Sequence, residues 1–266
     1  MSGIVFDRKK MFEEMGNTLV ETVYKISLNA QAKVDKDCGG AITNLLYIFT
    51  KTFVILNTIL NYTDQAKVSD KEFDSNILLW QGQNTLISSL QLTRQGYFVE
   101  PQFLIRSAVE NLALSLSFFT GSDYYEKFKK NQLSGEKCIG EAKKLVKQIG
   151  GIYGLLSQVT HPSNKILGHH YLEGRSTLLI GGGVTETNMS MVKFNLAILN
   201  WVATIYWSSA ELIFHNHFDN YTFWTKSGDN MKWTPNKPEE AVYTKSINLF
   251  KEAINTMPNL NQEDYV

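Results

Sequence analysis

FNLAILNWVATIYWSSAELIF, residues 194–214, decides how the rest of the chain is read. It is apolar nearly all round the helical repeat, which marks either a helix buried on every side or one that crosses a bilayer. Asn195, Asn200, Ser208, Ser209 and Glu211 interrupt it. A second stretch poses the same question: AITNLLYIFTKTFVILNTILNY, residues 41–62, with Lys51 at its centre and Asn44 and Asn57 beside it. A central lysine alone costs about 2.5–3.5 kcal/mol on insertion, and the asparagines add to that. Both stretches are therefore read as core helices of a soluble, cytoplasmic protein with no membrane partner.

Working outward, apolar residues spaced three and four apart predict a helix over 5–33, and Gly39-Gly40 is expected to separate it from the helix beginning near Ala41. Further helices are expected over 71–96 and 101–120, the latter opened by Pro101 and stopped by Gly121. Shorter ones follow over 122–131, 135–149 and 152–160, with Gly150-Gly151 between the last two and Pro162 as the final stop. Residues 163–185 carry Gly168, Gly174 and Gly181-Gly182-Gly183 around the β-prone run Ser176–Ile180, and read as a loop or short hairpin. A long helix over 186–214, an irregular aromatic segment over 219–237 and a last helix over 238–256 complete the chain. The fold class is all-α: a single multi-helix, bundle-like domain over 1–266 with a glycine-rich loop or hairpin insertion. Within it, 1–70 supplies N-terminal helices, 71–218 the core and candidate site, and 219–266 the aromatic loop and C-terminal helix.

At 266 residues the chain buries enough surface to need no staple, and Cys38 and Cys138 are too few for a disulfide framework or a cysteine zinc site. Its 26 basic and 26 acidic residues cancel, so no overall field draws it to duplex DNA. His215-x-His217-x-Asp219 would align only on a strand, yet it follows a helical segment, and no ligand set has metal spacing. Gly181–Gly183 lacks the Lys-Ser/Thr of a phosphate loop. No metal and no cofactor is expected.

Two constellations carry chemistry. Arg106 is one of only four arginines and lies in the apolar helix PQFLIRSAVENLALSLSFFT, where Gln102, Arg106, Glu110 and Ser117 share one narrow strip. The second is YGLLSQVTHPS, residues 153–163, which puts Tyr153, Ser157 and His161 on one helical face. His161 would sit at a helix C-terminus, where the partial negative charge favours its protonated form. It can act there as a general acid or base, or simply cap the helix. The candidate catalytic set is His161, Arg106 and Glu110, with Tyr153, Ser157, Gln102 and Ser163 as binding residues.

The pairing of R-x-x-x-E (Arg106, Glu110) with the later Y-x-x-L-S-x-x-x-H-P-S (Tyr153 to Ser163) resembles a widespread, largely uncharacterised family of all-helical microbial proteins. That resemblance spans about residues 75–215 and implies that Arg106, Glu110, Ser157 and His161 meet in the fold; it names no reaction. A looser similarity is to the nucleotide-binding helical domains of higher eukaryotes and prokaryotes, many of them metal-independent ribonucleases of toxin and phage-defence systems. Their arginine is followed by a histidine four to six residues on, and none of the four arginines here is. The leading expectation is a polar pocket for an anionic small molecule or nucleotide. A ribonuclease acting on RNA and a non-enzymatic interaction module with a structural polar cluster are its rivals, and a homo-oligomer is left open.

Overall fold

Helix α1 runs unbroken from Arg8 to Asn61 in the computed structural model of the chain. The structure describes residues 8–61, 63–64, 67–121, 123–160, 171–172, 177–178, 184, 189–218, 221–227, 230–233, 241–242, 244–246, 248–249 and 251–252. The expected break at Gly39-Gly40 does not occur. Buried residues continue straight through it, at Ala30, Val34, Cys38, Ile42, Leu45, Phe49, Thr52, Leu56 and Ile59. Two mid-helix glycines cost about 1 kcal/mol each against alanine, and this continuous buried stripe outweighs that cost.

Then come α2 (Asp70–Arg94), α3 (Glu100–Ser117), α4 (Tyr124–Lys129), α5 (Gly135–Leu145) and α6 (Gln148–Thr160). Ser69 and Glu72 close a capping box that starts α2, and Pro101 occupies the first turn of α3. The break between α5 and α6 falls at Val146 rather than at Gly150-Gly151, which lie inside α6. Val146 leaves helical geometry and turns its side chain into the core, so packing again overrides glycine as punctuation. Two antiparallel ribbons follow: β1 (Tyr171–Leu172) with β2 (Thr177–Leu178), and β3 (Trp224–Ser227) with β4 (Asn230–Trp233). The first answers the expected hairpin. The second corrects the irregular reading of 219–237, and it is anchored where Trp224 Nε1 donates to Ser208 O. The described residues between 241 and 252 are helical.

The centre is α7 (Met189–Ile213), in which every residue from Phe194 to Glu211 is buried. It packs against α1, α2 and α3. By length and composition alone, α7 and the Val23–Asn61 part of α1 would suffice to cross a membrane, but the apolar window of α7 is 94% buried within the protein. Four of its polar residues meet specific neighbours on other elements. Asn44 donates to Asn200 Oδ1, Asn200 to Ala41 O, Gln102 to Asn195 Oδ1, Asn195 to Phe98 O, and Thr204 to Ser246 Oγ. Backbone N–H groups of Thr222 and Phe223 donate to Glu211, whose pKa burial raises above the ordinary carboxylate value.

Helices α1 and α2 lie antiparallel and are joined by a ladder of polar rungs. Asn76 donates to Leu56 O, Gln83 to Phe49 O, and Arg94 forms a bidentate pair with Asp35 at 2.7 and 2.6 Å. On the same buried side of α2, Gly82 admits Tyr206, whose hydroxyl donates to Ala108 O. A Cβ at Gly82 would overlap that hydroxyl, whereas one at Gly39 or Gly40 meets nothing. Gly82→Ala is therefore expected to destabilise the protein by about 1–3 kcal/mol through overpacking. Gly39→Ala and Gly40→Ala are each expected to stabilise it by about 0.5–1 kcal/mol. Urea unfolding of the three variants checks both signs.

Candidate functional site

Arg106 and Glu110 stand one turn apart on α3, and Tyr153 reaches them from α6. Arg106 Nε donates to Glu110 Oε1 at 3.2 Å, Arg106 Nη2 donates to the Tyr153 hydroxyl at 2.8 Å, and that hydroxyl donates to Glu110 Oε1 at 3.1 Å. The guanidinium carbon lies 5.0 Å from the Tyr153 ring centre, a cation–π contact added to the hydrogen bond. The Arg106 and Glu110 side chains keep 21% and 31% exposure, so the triangle sits at the edge of the core. Partial burial works against the Arg106 charge, but the Tyr153 and Glu110 interactions outweigh it and hold its pKa above the ordinary value. Burial raises the Tyr153 pKa; Arg106 pulls it down and Glu110 pushes it up, with a net rise. At neutral pH the site thus offers a fixed cation and a protonated phenol.

The rest of the predicted strip divides. Gln102 does not join the triangle: it is fully buried and donates to Phe98 O and Asn195 Oδ1, serving the contact with α7. Ser117 is also fully buried and donates to Leu114 O. Ser157 lies one turn beyond Tyr153 on α6, half-buried. His161 and Ser163 lie outside the described residues, as do His169 and His170. Gly135, first residue of α5, lies against the backbone of Glu110, and a Cβ there would collide with Glu110 O. The N-terminus of α5 thereby packs directly against the Glu110 turn of α3.

Two polar pairs escaped sequence reading. Arg94 and Asp35 are 59 residues apart and Glu72 and His217 are 145 apart, so no local spacing signals either one. His217 Nε2 lies 2.9 Å from Glu72 Oε1, with side chains 7% and 11% exposed, and ties the turn after α7 to the start of α2. His215 Nδ1 lies 2.9 Å from Leu212 O, so the two histidines serve different partners. Among the described residues no group of three or more His, Cys, Asp or Glu side chains is placed to hold a metal ion. Cys38 and Cys138 are free and buried, and burial pushes both thiols up. Neither is poised as a nucleophile.

No family model, curated protein or solved structure matches this chain. The functional reading accordingly stands on the geometry of the triangle.

Burial would raise the Glu72 pKa, but its hydrogen bonds with Ser69 and His217 outweigh that and hold it below the ordinary glutamate value. Its contribution is fully present above the unfolded-state value and is lost as pH falls through the folded value. Melting temperature should therefore drop between pH 5 and 3 in the wild type. Glu72→Gln should remove part of that dependence while lowering stability at pH 7 by about 1–3 kcal/mol. A variant whose melting profile against pH parallels the wild type would contradict this role.

Proposed function

We propose that the protein binds an anionic ligand of the nucleotide or phosphorylated small-molecule class, with Arg106 contacting its charge. Glu110 and Tyr153 hold the guanidinium, and His161 exchanges a proton with the ligand. The observation that supports this is an arginine braced by side chains from two helices that still reaches solvent. A braced guanidinium has already lost its rotamer freedom, so a charged ligand meets it at low entropic cost. Phe103, 50% exposed, lies three residues before Arg106 and so neighbours it on the helix surface. An exposed ring beside a fixed cation suits a base stacked on one side with a phosphate on the other.

The closed triangle also favours a second reading, in which Arg106, Glu110 and Tyr153 only clamp α6 to α3 and the chain serves as an interaction module. Calorimetric titration with ATP, ADP and inorganic phosphate separates the two. The ligand reading expects binding that weakens about tenfold or more in Arg106→Gln, since a charge-assisted hydrogen bond contributes about 1.5–3 kcal/mol. Silence with all three probes, together with a lowered melting temperature for Arg106→Gln, would leave the clamp. Single-stranded RNA in the same series tests the ribonuclease alternative, which requires cleavage that disappears in His161→Ala.

A further inference from the structure

The outward face of α2 does not look like a face made for water. From Ser75 to Thr93 the helix carries no charged residue at all, although a fifth of the chain is charged. Its outer line reads Phe73, Ile77, Trp80, Asn84, Ile87, alternating steps of four and three. That is the spacing of a helix–helix seam, and it lies on a helix whose other side is already fully used against α1, α3 and α7. Phe73, Ile77 and Ile87 are 44%, 46% and 37% exposed, and Phe53 and Val54 on α1 are 45% and 54% exposed. The patch is continuous between these helices, because Phe53 packs on Trp80 with ring centres 5.1 Å apart. On its other flank a groove of about 480 Å³ runs between Ile77, Trp80, Asn84 and Ser88 of α2 and Leu104 of α3.

We propose that this face is the interface of a two-fold homodimer, in which the α2 stripe packs on its own copy with the axis passing close to Asn84. Its extent fits. With large side chains offering about 150–250 Å² each when fully exposed, the five exposed residues and the rim of Trp80 supply on the order of 500 Å² of apolar surface. Gln81, Asn84, Thr85 and Ser88 between them bring the face towards the roughly 800 Å² per partner of a stable interface. Its chemistry also fits: aromatic residues present, charge depleted, and uncharged polar groups able to exchange hydrogen bonds across the contact. A lone Asn within an apolar seam is the device that fixes register between paired helices. A stripe that carries its own complementary pattern is what an isologous contact requires. Lipid suits it less well: the Thr85 and Ser88 hydroxyls already donate to carbonyls of their own helix, but the side-chain amides of Gln81 and Asn84 would lose water in hydrocarbon without finding partners. This inference is independent of the ligand reading at Arg106.

Sedimentation velocity of the full chain from 1 to 100 μM tests it, alongside Ile77→Glu, Ile87→Glu and the control Val20→Glu, which lies on the exposed N-terminal part of α1. The expected result is a wild-type dimer that the α2 variants dissociate by at least tenfold in Kd while circular dichroism and melting of the monomer stay intact. Val20→Glu should leave it whole. Oxidation of Asn84→Cys should give a covalent dimer, since the native cysteines are buried. A monomeric wild type throughout the range overturns the proposal, as does a dimer untouched by both α2 variants or one that Asn84→Cys fails to cross-link. Co-sedimentation of a monomeric wild type with phosphatidylcholine–phosphatidylglycerol vesicles, lost in Ile77→Glu, would overturn it in favour of a lipid surface.

Discussion

Everything in this fold depends on enclosing α7. A helix buried from Phe194 to Glu211 on all sides has no outward face to set its rotation, so hydrophobic burial alone would leave it free to turn or slide. Its amides remove that freedom. Asn200 reaches Asn44 and Ala41 O on α1, and Asn195 reaches Gln102 on α3 and Phe98 O just before it. A rotation or a one-residue slip would strand these groups in the core at about 1–3 kcal/mol apiece. The apolar surface supplies the drive for association, and a few hydrogen bonds choose the one arrangement that satisfies them.

The same division of labour holds between α1 and α2. The buried side of α2 is poor in large apolar residues and rich in Ser75, Asn76, Gly82, Gln83, Ser89 and Thr93. Small residues let the helices approach, and the amides then reach carbonyl oxygens that already accept a bond within α1. The bidentate Arg94–Asp35 pair closes the upstream end of this ladder. The Arg106 triangle differs in kind, because it stands at an edge and joins α3 to the helix that leads directly to residue 161.

The all-α class was legible because residues 41–62 and 194–214 are too long and too apolar to be anything but helices. The Arg106–Glu110 pair and the involvement of Tyr153 were legible from i,i+4 spacing and from the scarcity of arginine. Gln102 shares the strip of Arg106 in projection but stands apart from the triangle, because helical projection gives direction and not what lies opposite, and opposite it stands Asn195. The glycine pairs misled for a related reason: propensity is local, while the stripe from Ala30 to Ile59 is a tertiary fact. Arg94–Asp35 and Glu72–His217 were invisible because their partners are brought together only by the finished fold.

The position of α7 in the chain has a consequence for biosynthesis. Helices α1, α2 and α3 leave the ribosome first, and the element that packs against all three begins 89 residues after α3 does, at Met189 against Glu100. Until then the sides of α1, α2 and α3 that pack on α7 in the finished fold lack that partner. Asn44 waits for a partner 156 residues downstream. Apolar surface left exposed for that interval invites chaperone capture and association between neighbouring chains. Only synthesis of Met189–Ile213 supplies the helix that covers it.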